Sequence, residues 1–320
     1  MKEMIYGLEI MSGHYGVFNH FLDGMQNNSQ NPKSCGKTRS WNELVGQMDA
    51  EKIAAQLYDA GAAYYFITIM QGTKYMLAPN QTFDEIAGTK PGEACATRDF
   101  PMDLAKALSK YGIKLYLYYT GDGPWKDEVI GKRFGFTDPR EDVSEEFVKK
   151  WAAVLEEYAV RYGDLVNGWW IDGCYGTGHT DIKFHYRDEL LDYYYKAVKK
   201  GNPNAAVAFN NGVFPDVLKY YPHEDFTAGE FNFFDTYPKG KFTDGALSHV
   251  LAPLGISVDG TEWGSWGAVG CKHSREHMIE YVRRVTEMGG AVTIDVALFA
   301  DSSFDPEQLQ MLKAMKESLI

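Results

Sequence analysis

Two carboxylates stand where buried stretches of chain end. Asp172 closes the run Gly168-Trp169-Trp170-Ile171-Asp172-Gly173, and Glu230 closes Asp225-Phe226-Thr227-Ala228-Gly229-Glu230. Bulky apolar residues followed by glycine read as a buried strand and the turn that leaves it. A carboxylate at the end of such a strand is costly to desolvate unless it is used or paired. In a parallel α/β barrel the strand C-terminal ends are where catalytic residues sit. Two strand-end carboxylates on different strands suit glycoside hydrolysis, in which one attacks the anomeric carbon and the other protonates the leaving oxygen. Either one alone reads equally well as a salt-bridged or capping carboxylate, so the pair carries the inference.

The rest of the chain must supply strands that end together. Residues 16–20 read as a first strand, ending at His20, and an Asn-rich loop follows to about residue 40. Asp49 caps a helix running to Ala60, with Ile53, Ala54 and Leu57 on one face. Further strands are predicted over 63–69, 113–120, 168–173, 205–210, 226–230 and 291–296, with one more of open register within 247–258. Helices are predicted over 102–111, 144–162, 187–200 and 274–288. The last begins at Asp305-Pro306-Glu307-Gln308, read as a cap, a first-turn proline and a capping-box glutamine. Eight strands alternating with helices predict a (β/α)8 TIM-like barrel, regular or irregular. The alternative is an open doubly wound sheet, but no glycine-rich dinucleotide turn follows the first strand. No linker or repeat interrupts the pattern, so residues 1–320 read as one catalytic domain.

Composition narrows the function. The chain has 320 residues, 45% of them hydrophobic, enough to bury a large core without metals or disulfides. Its net charge is −12 and no basic stripe appears, which excludes nucleic acid as a partner. Cys35, Cys95, Cys174 and Cys271 lie far apart and are expected as free thiols rather than metal ligands. The eight histidines form no HxH or HExxH spacing, so neither a metal nor another cofactor is expected. No apolar stretch reaches membrane-spanning length. Residues 1–5 do not resemble a signal peptide, which predicts a cytoplasmic protein, or an exported one from which a leader has been removed. Aromatics make up 14% of the chain, compatible with a carbohydrate partner, although most must be core.

The order and spacing of several segments resemble glycoside hydrolase family 29, the α-L-fucosidases, over residues 14–318. His14-Tyr15-Gly16-Val17-Phe18-Asn19-His20 resembles the first-strand motif that ends in a sugar-binding histidine. Arg98-Asp99-Phe100 with Leu115-Tyr116-Leu117-Tyr118-Tyr119 resembles the helix and strand leading to paired tyrosines. Trp169-Trp170-Ile171-Asp172-Gly173 is similar to the nucleophile motif, and 225–230 to the segment supplying the acid/base in some bacterial members. Trp263-Gly264-Ser265-Trp266-Gly267, the stretch 289–295 and 305–308 follow the family's C-terminal pattern. The resemblance implies a retaining exo-glycosidase with Asp172 as nucleophile and Glu230 as acid/base. It departs from the family where a histidine pair and an arginine usually hold fucose hydroxyls. Gln71-Gly72 and Asn210 stand there instead. The family's common C-terminal β-sandwich is not expected, because the chain ends with the barrel's last helix.

The remaining candidates follow from position. His20, Gln71, Tyr119 and Asn210 fall at or just past predicted strand ends and are expected to bind sugar hydroxyls. Trp263 and Trp266 can stack on a sugar face or simply pack. Glu262, in Gly260-Thr261-Glu262-Trp263, is a substrate contact and the rival acid/base. Asp122 and Glu224 lie near strand ends and are read as structural. The alternatives are a glycosidase acting on another sugar or within an oligosaccharide, and a sugar-binding barrel without catalysis.

Overall fold

The computed structural model of the chain describes residues 4–136, 142–176, 185–257 and 259–319. Seven parallel strands form the main sheet: β1 (Tyr15–Asn19), β2 (Tyr64–Thr68), β3 (Lys114–Thr120), β4 (Val166–Asp172), β5 (Ala206–Phe209), β8 (His249–Pro253) and β9 (Ala291–Asp295). A small antiparallel hairpin, β6 (Phe242–Thr243) and β7 (Ala246–Leu247), precedes β8. The sheet order is β5-β4-β3-β2-β1-β9-β8, a sheet curled into a barrel with one gap between β5 and β8.

Residues 225–231 fill that gap, but not as a regular strand. On the β8 side they pair through isolated bridges, Phe226 with Leu247 and Glu230 with Leu251. On the β5 side the Asp225 amide donates to the Val207 carbonyl at 2.8 Å, and the Asp225 side chain accepts from the Val207 amide at 3.0 Å. A carboxylate thus does the work of a backbone carbonyl, which ends the ladder after one residue. Gly229 then takes φ +61° against the His249 carbonyl, where a Cβ would lie 1.9 Å from that oxygen. Only glycine tolerates this turn, and it sets the direction of Glu230. The expected sixth strand is therefore a bent segment, and the barrel is an irregular (β/α)8 barrel. The seventh strand takes the register 249–253; position 258, within its predicted range, lies outside the described residues.

Strand alternation sorts the side chains into two cores. Phe18, Tyr64, Phe66, Tyr116, Tyr118 and Trp170 fill the barrel interior. Val17, Tyr65, Ile67, Leu117, Tyr119 and Ile171 point outward against the helices. Gly168 marks the inward face of β4. It lies opposite Tyr116, and a Cβ on it would stand 2.2 Å from the Tyr116 ring. Gly16 stands in the same relation to Tyr64. With Gly168 pointing inward, Trp170 and Asp172 point inward too.

The helices form where their caps lie. Asp49, Asp99, Ser144 and Ser274 each accept a first-turn amide, opening Ala50–Ala60, Phe100–Ser109, Glu145–Tyr162 and Arg275–Glu287. Asp305 likewise caps Pro306–Leu319. Gln308 does not complete a capping box. Its amide is buried and joins two loops, accepting from the Ala297 amide and donating to the carbonyls of Ala268 and Gly270. A short helix absent from the sequence reading, Tyr6–Met11, closes the far end of the barrel. Leu8 and Met11 enter the inner core, and the Gly7 carbonyl accepts from the Tyr116 hydroxyl at 2.6 Å. All four cysteines are free thiols. Among the described residues no helix is long and apolar enough to cross a membrane.

The Gly168–Tyr116 contact predicts the result of a single methyl group. Gly168→Ala should lower the melting temperature by the equivalent of about 1–3 kcal/mol, the usual cost of overpacking a core. Thermal unfolding followed by circular dichroism checks this. An unchanged midpoint would contradict the packing described.

Candidate active site

Inward-pointing side chains at the C-terminal strand ends meet at one mouth. Asp172 ends β4, Asn210 follows β5, Glu230 follows the bend at Gly229, and His20 follows β1. The centre of this group is the Asn210 amide. Its Nδ2 donates to Asp172 Oδ1 at 2.7 Å and to Glu230 Oε2 at 2.5 Å. Both legs meet at one nitrogen, so these two carboxylate oxygens stand at most about 5 Å apart. The Asn210 Oδ1 accepts from the Gly212 amide at 3.1 Å, which holds the NH2 group toward the carboxylates. The second Asp172 oxygen accepts from the Tyr118 hydroxyl at 2.5 Å.

Burial and the neighbouring charge of Asp172 raise the Glu230 carboxyl to about 8, against the opposing bond from Asn210. Glu230 therefore holds a proton at neutral pH. Burial first, then the charges of Asp172 and Glu230, push the Tyr175 phenol well above its ordinary value. The sequence reading singled out neither Tyr118 nor Tyr175.

His20 sits across the mouth. Its Nδ1 bonds Asp295 Oδ1 at 2.8 Å, and its ring packs 4.5 Å from Phe18 and 5.8 Å from Trp266, centroid to centroid. Asp295 is buried and also accepts from the Gly267 amide at 2.5 Å. The His20 ring is thus clamped through one nitrogen, which leaves Nε2 for a ligand. Asp295, the inward residue at the end of β9, carries the same sequence signal as Asp172: a carboxylate closing an apolar run.

Other expectations fare differently. Tyr119 is not at the mouth. Its ring stacks on Trp151 at 5.0 Å and its hydroxyl donates to the Trp151 carbonyl at 2.9 Å, outside the barrel. The correction is one of parity, since adjacent strand residues face opposite ways and Tyr118 is the inward member. Glu262 and Trp263 lie exposed on the rim. Trp263 is 66% exposed and meets Phe233 edge-on, while the Glu262 carbonyl, not its carboxylate, is engaged, accepting from Lys272 Nζ. Glu262 is therefore not gathered with Asp172 and Glu230. Gln71 is half-buried just past β2 and makes no hydrogen bond among the described residues. Trp266 forms the wall beside His20.

Asp122 and Glu224 bond to their own surroundings. Asp122 accepts from Thr120 and from Trp125 Nε1, and burial with the Asp172 charge lifts it to about 7. Glu224 accepts from the Tyr220 and Phe209 amides, and burial lifts it to about 8.

The sequence pattern of the Alpha-L-fucosidase family matches residues 38–319. No curated protein matches the chain by sequence. In fold, the chain is similar to the endo-fucoidan hydrolase MfFcnA4 of glycoside hydrolase family 107. The TM-score is 0.72 at 15% identity, over 97% of this chain and 53% of that one. It is also similar to an α-L-fucosidase of family 29 from Bacteroides thetaiotaomicron, with a TM-score of 0.65 at 16% identity over 99% and 74% of the two chains. A fucosyltransferase mutant of the α-L-fucosidase AlfC gives 0.62 at 15% identity, over 99% and 98%. The chain spans about half the length of MfFcnA4, and at these identities the likeness is one of fold.

The contrast between adjacent tyrosines is testable. Tyr118→Phe should lower kcat by about tenfold or more, because Asp172 loses a charge-assisted bond. Tyr119→Phe should leave kcat intact and cost about 1 kcal/mol of stability. Steady-state kinetics and thermal melts of both variants check this, and the reverse pattern would refute the assigned parity.

Proposed function

The chain belongs to the α-L-fucosidase family, and on that premise we propose that it is a retaining exo-glycosidase that releases a terminal α-L-fucose-like sugar. The observation that carries the mechanism is the Asn210 bridge. Retaining enzymes hold their carboxyl groups about 5–5.5 Å apart, whereas inverting ones need about 6.5–9.5 Å to admit a water. The bridged oxygens stand at most about 5 Å apart, which favours retention.

Asp172 is the nucleophile. Bonds from Tyr118 and Asn210 fix its oxygens, one of which attacks the anomeric carbon. Glu230, protonated at neutral pH, gives its proton to the glycosidic oxygen as that bond breaks. The product of this step is a sugar ester on Asp172 and a free leaving alcohol. Glu230, now a carboxylate, takes a proton from water as the water oxygen attacks the anomeric carbon. The ester bond breaks, Asp172 returns to its ionised form, and the sugar leaves with its original configuration. His20, oriented by Asp295, supplies a hydroxyl contact, Gln71 has an uncommitted amide, and Trp266 offers an apolar face.

The test uses an aryl α-L-fucoside with a good leaving group. For the unmodified protein, kcat/KM should fall about tenfold per pH unit above about 8, because Glu230 loses the proton it must donate. Glu230→Ala should lower activity by about 10²–10⁴ on substrates with poor leaving groups, and azide should restore turnover of the activated one as a fucosyl azide. Rescue in Glu262→Ala and not in Glu230→Ala would reassign the acid/base. Faster hydrolysis of another aryl glycoside in the same assay would reassign the sugar.

A further inference from the structure

The segment that follows Glu230 is held by side chains. Phe231 still pairs with the barrel, its amide donating to the Leu251 carbonyl at 2.9 Å. Beyond it, side chains from one stretch, 272–281, take every second carbonyl. Lys272 Nζ donates to the Asn232 carbonyl at 2.8 Å, His277 Nε2 to the Phe234 carbonyl at 2.7 Å, and the Tyr281 hydroxyl to the Thr236 carbonyl. His273 adds a bond of the opposite sense: the Phe234 amide donates to its Nε2 at 3.3 Å. His277 and Tyr281 stand four apart on the helix Arg275–Glu287, and His273 continues that spacing just before the cap, Ser274. The three rings stack in turn, with centroids 4.8 Å apart between the histidines and 6.3 Å from His277 to Tyr281. The buried Phe234 ring meets His273 and Tyr281 edge-on.

The two bonds at Phe234 fix the proton on each imidazole. A carbonyl only accepts, so His277 Nε2 carries a proton. A backbone N–H only donates, so His273 Nε2 carries none. A proton on that nitrogen would set two N–H groups against each other and release the Phe234 amide. Protonating His277 leaves its bond to the carbonyl intact. The surroundings of His273 favour the neutral ring. Burial, then His277 and the Lys272 ammonium, bring it down to about 4, against the charge of Asp235. Lys272 Nζ also donates to the Glu262 carbonyl and the Ser265 hydroxyl, which fixes that charge in place.

We propose that His273 is a positioning residue: its neutral ring, with His277 and Tyr281, clasps residues 234–236, fixes the segment that presents Glu230, and lets go in acid. The clasp belongs to the fold, and its effect on catalysis rests on the retaining-glycosidase reading.

The experiment reads both levels. Once the clasp opens, His273 titrates near its ordinary value of about 6.5, so opening should become about tenfold or more easier between pH 7 and pH 5. Hydrogen exchange of a peptide covering 231–237, corrected for intrinsic rates and referred to one covering β4, measures this. His273→Gln offers an amide oxygen in place of Nε2 and does not titrate, so its change should stay within about twofold. No change in the unmodified protein, or an equal one in His273→Gln, would overturn the clasp. For catalysis, His273→Ala at pH 7 should lower kcat/KM about tenfold on an aryl α-L-fucoside with a poor leaving group, which needs the Glu230 proton, and at most about twofold on an activated one. His273→Gln should restore the first substrate. Equal losses on both substrates, or none on either, would overturn the positioning role. If the unmodified protein hydrolyses neither, the glycosidase reading fails, and hydrogen exchange decides the clasp by itself.

Discussion

One amide holds the candidate active site together. Asn210 donates both of its N–H bonds to carboxylates that would otherwise repel, and it fixes the distance between them. Two unit charges about 5 Å apart at an effective dielectric near 20 repel by about 3 kcal/mol. A hydrogen bond to a charged group returns about 1.5–3 kcal/mol. Two such bonds are of the same size as the repulsion, so the cost left over is the desolvation of the buried carboxylates. Burial and the charge of Asp172 raise the Glu230 carboxyl above its ordinary value, and Asp172 has a second donor in Tyr118. Surroundings, and not the chemistry of the carboxyl groups, set Glu230 apart from Asp172.

The barrel exists, for this purpose, to bring Asp172, Asn210, Glu230 and His20 to one mouth on the inward parity. The regular part is simple: alternation puts every second residue inside, and glycines at 16 and 168 leave room for the Tyr64 and Tyr116 rings. The irregular part matters as much. Asp225 ends the ladder to β5 with its own side chain, and Gly229 bends the chain just before Glu230. A straight strand would not need either residue. The break in the sheet and the placement of Glu230 have the same cause.

Much of this was legible in sequence. The apolar runs before Asp172 and Glu230 locate both groups, and the cap at Asp49 locates the helix that follows it. Asn210 was found as a polar residue past a strand, but its contact with two carboxylates depends on β5 and 225–231 being neighbours, which no local pattern states. Tyr119 was misplaced because two adjacent tyrosines give no parity by themselves. The neighbouring glycine at 168 gives it once the register to Tyr116 is known. Gln308 looked like a capping-box residue because the motif is local, whereas its real partners lie in two distant loops. The helix over 6–11 is too short for periodicity to reveal, and tertiary contact with the barrel floor stabilises it.

In the proposed mechanism Asp172 forms a covalent bond to the sugar. A fluorinated fucosyl fluoride that forms the intermediate quickly and hydrolyses it slowly would trap that bond, and peptide mass spectrometry would locate it. The expected result is one added deoxy-sugar mass per chain, on the peptide that contains Asp172, and loss of the label on further incubation with a sugar acceptor. A label on Glu230 or Glu262, or turnover without any labelled peptide, would contradict it.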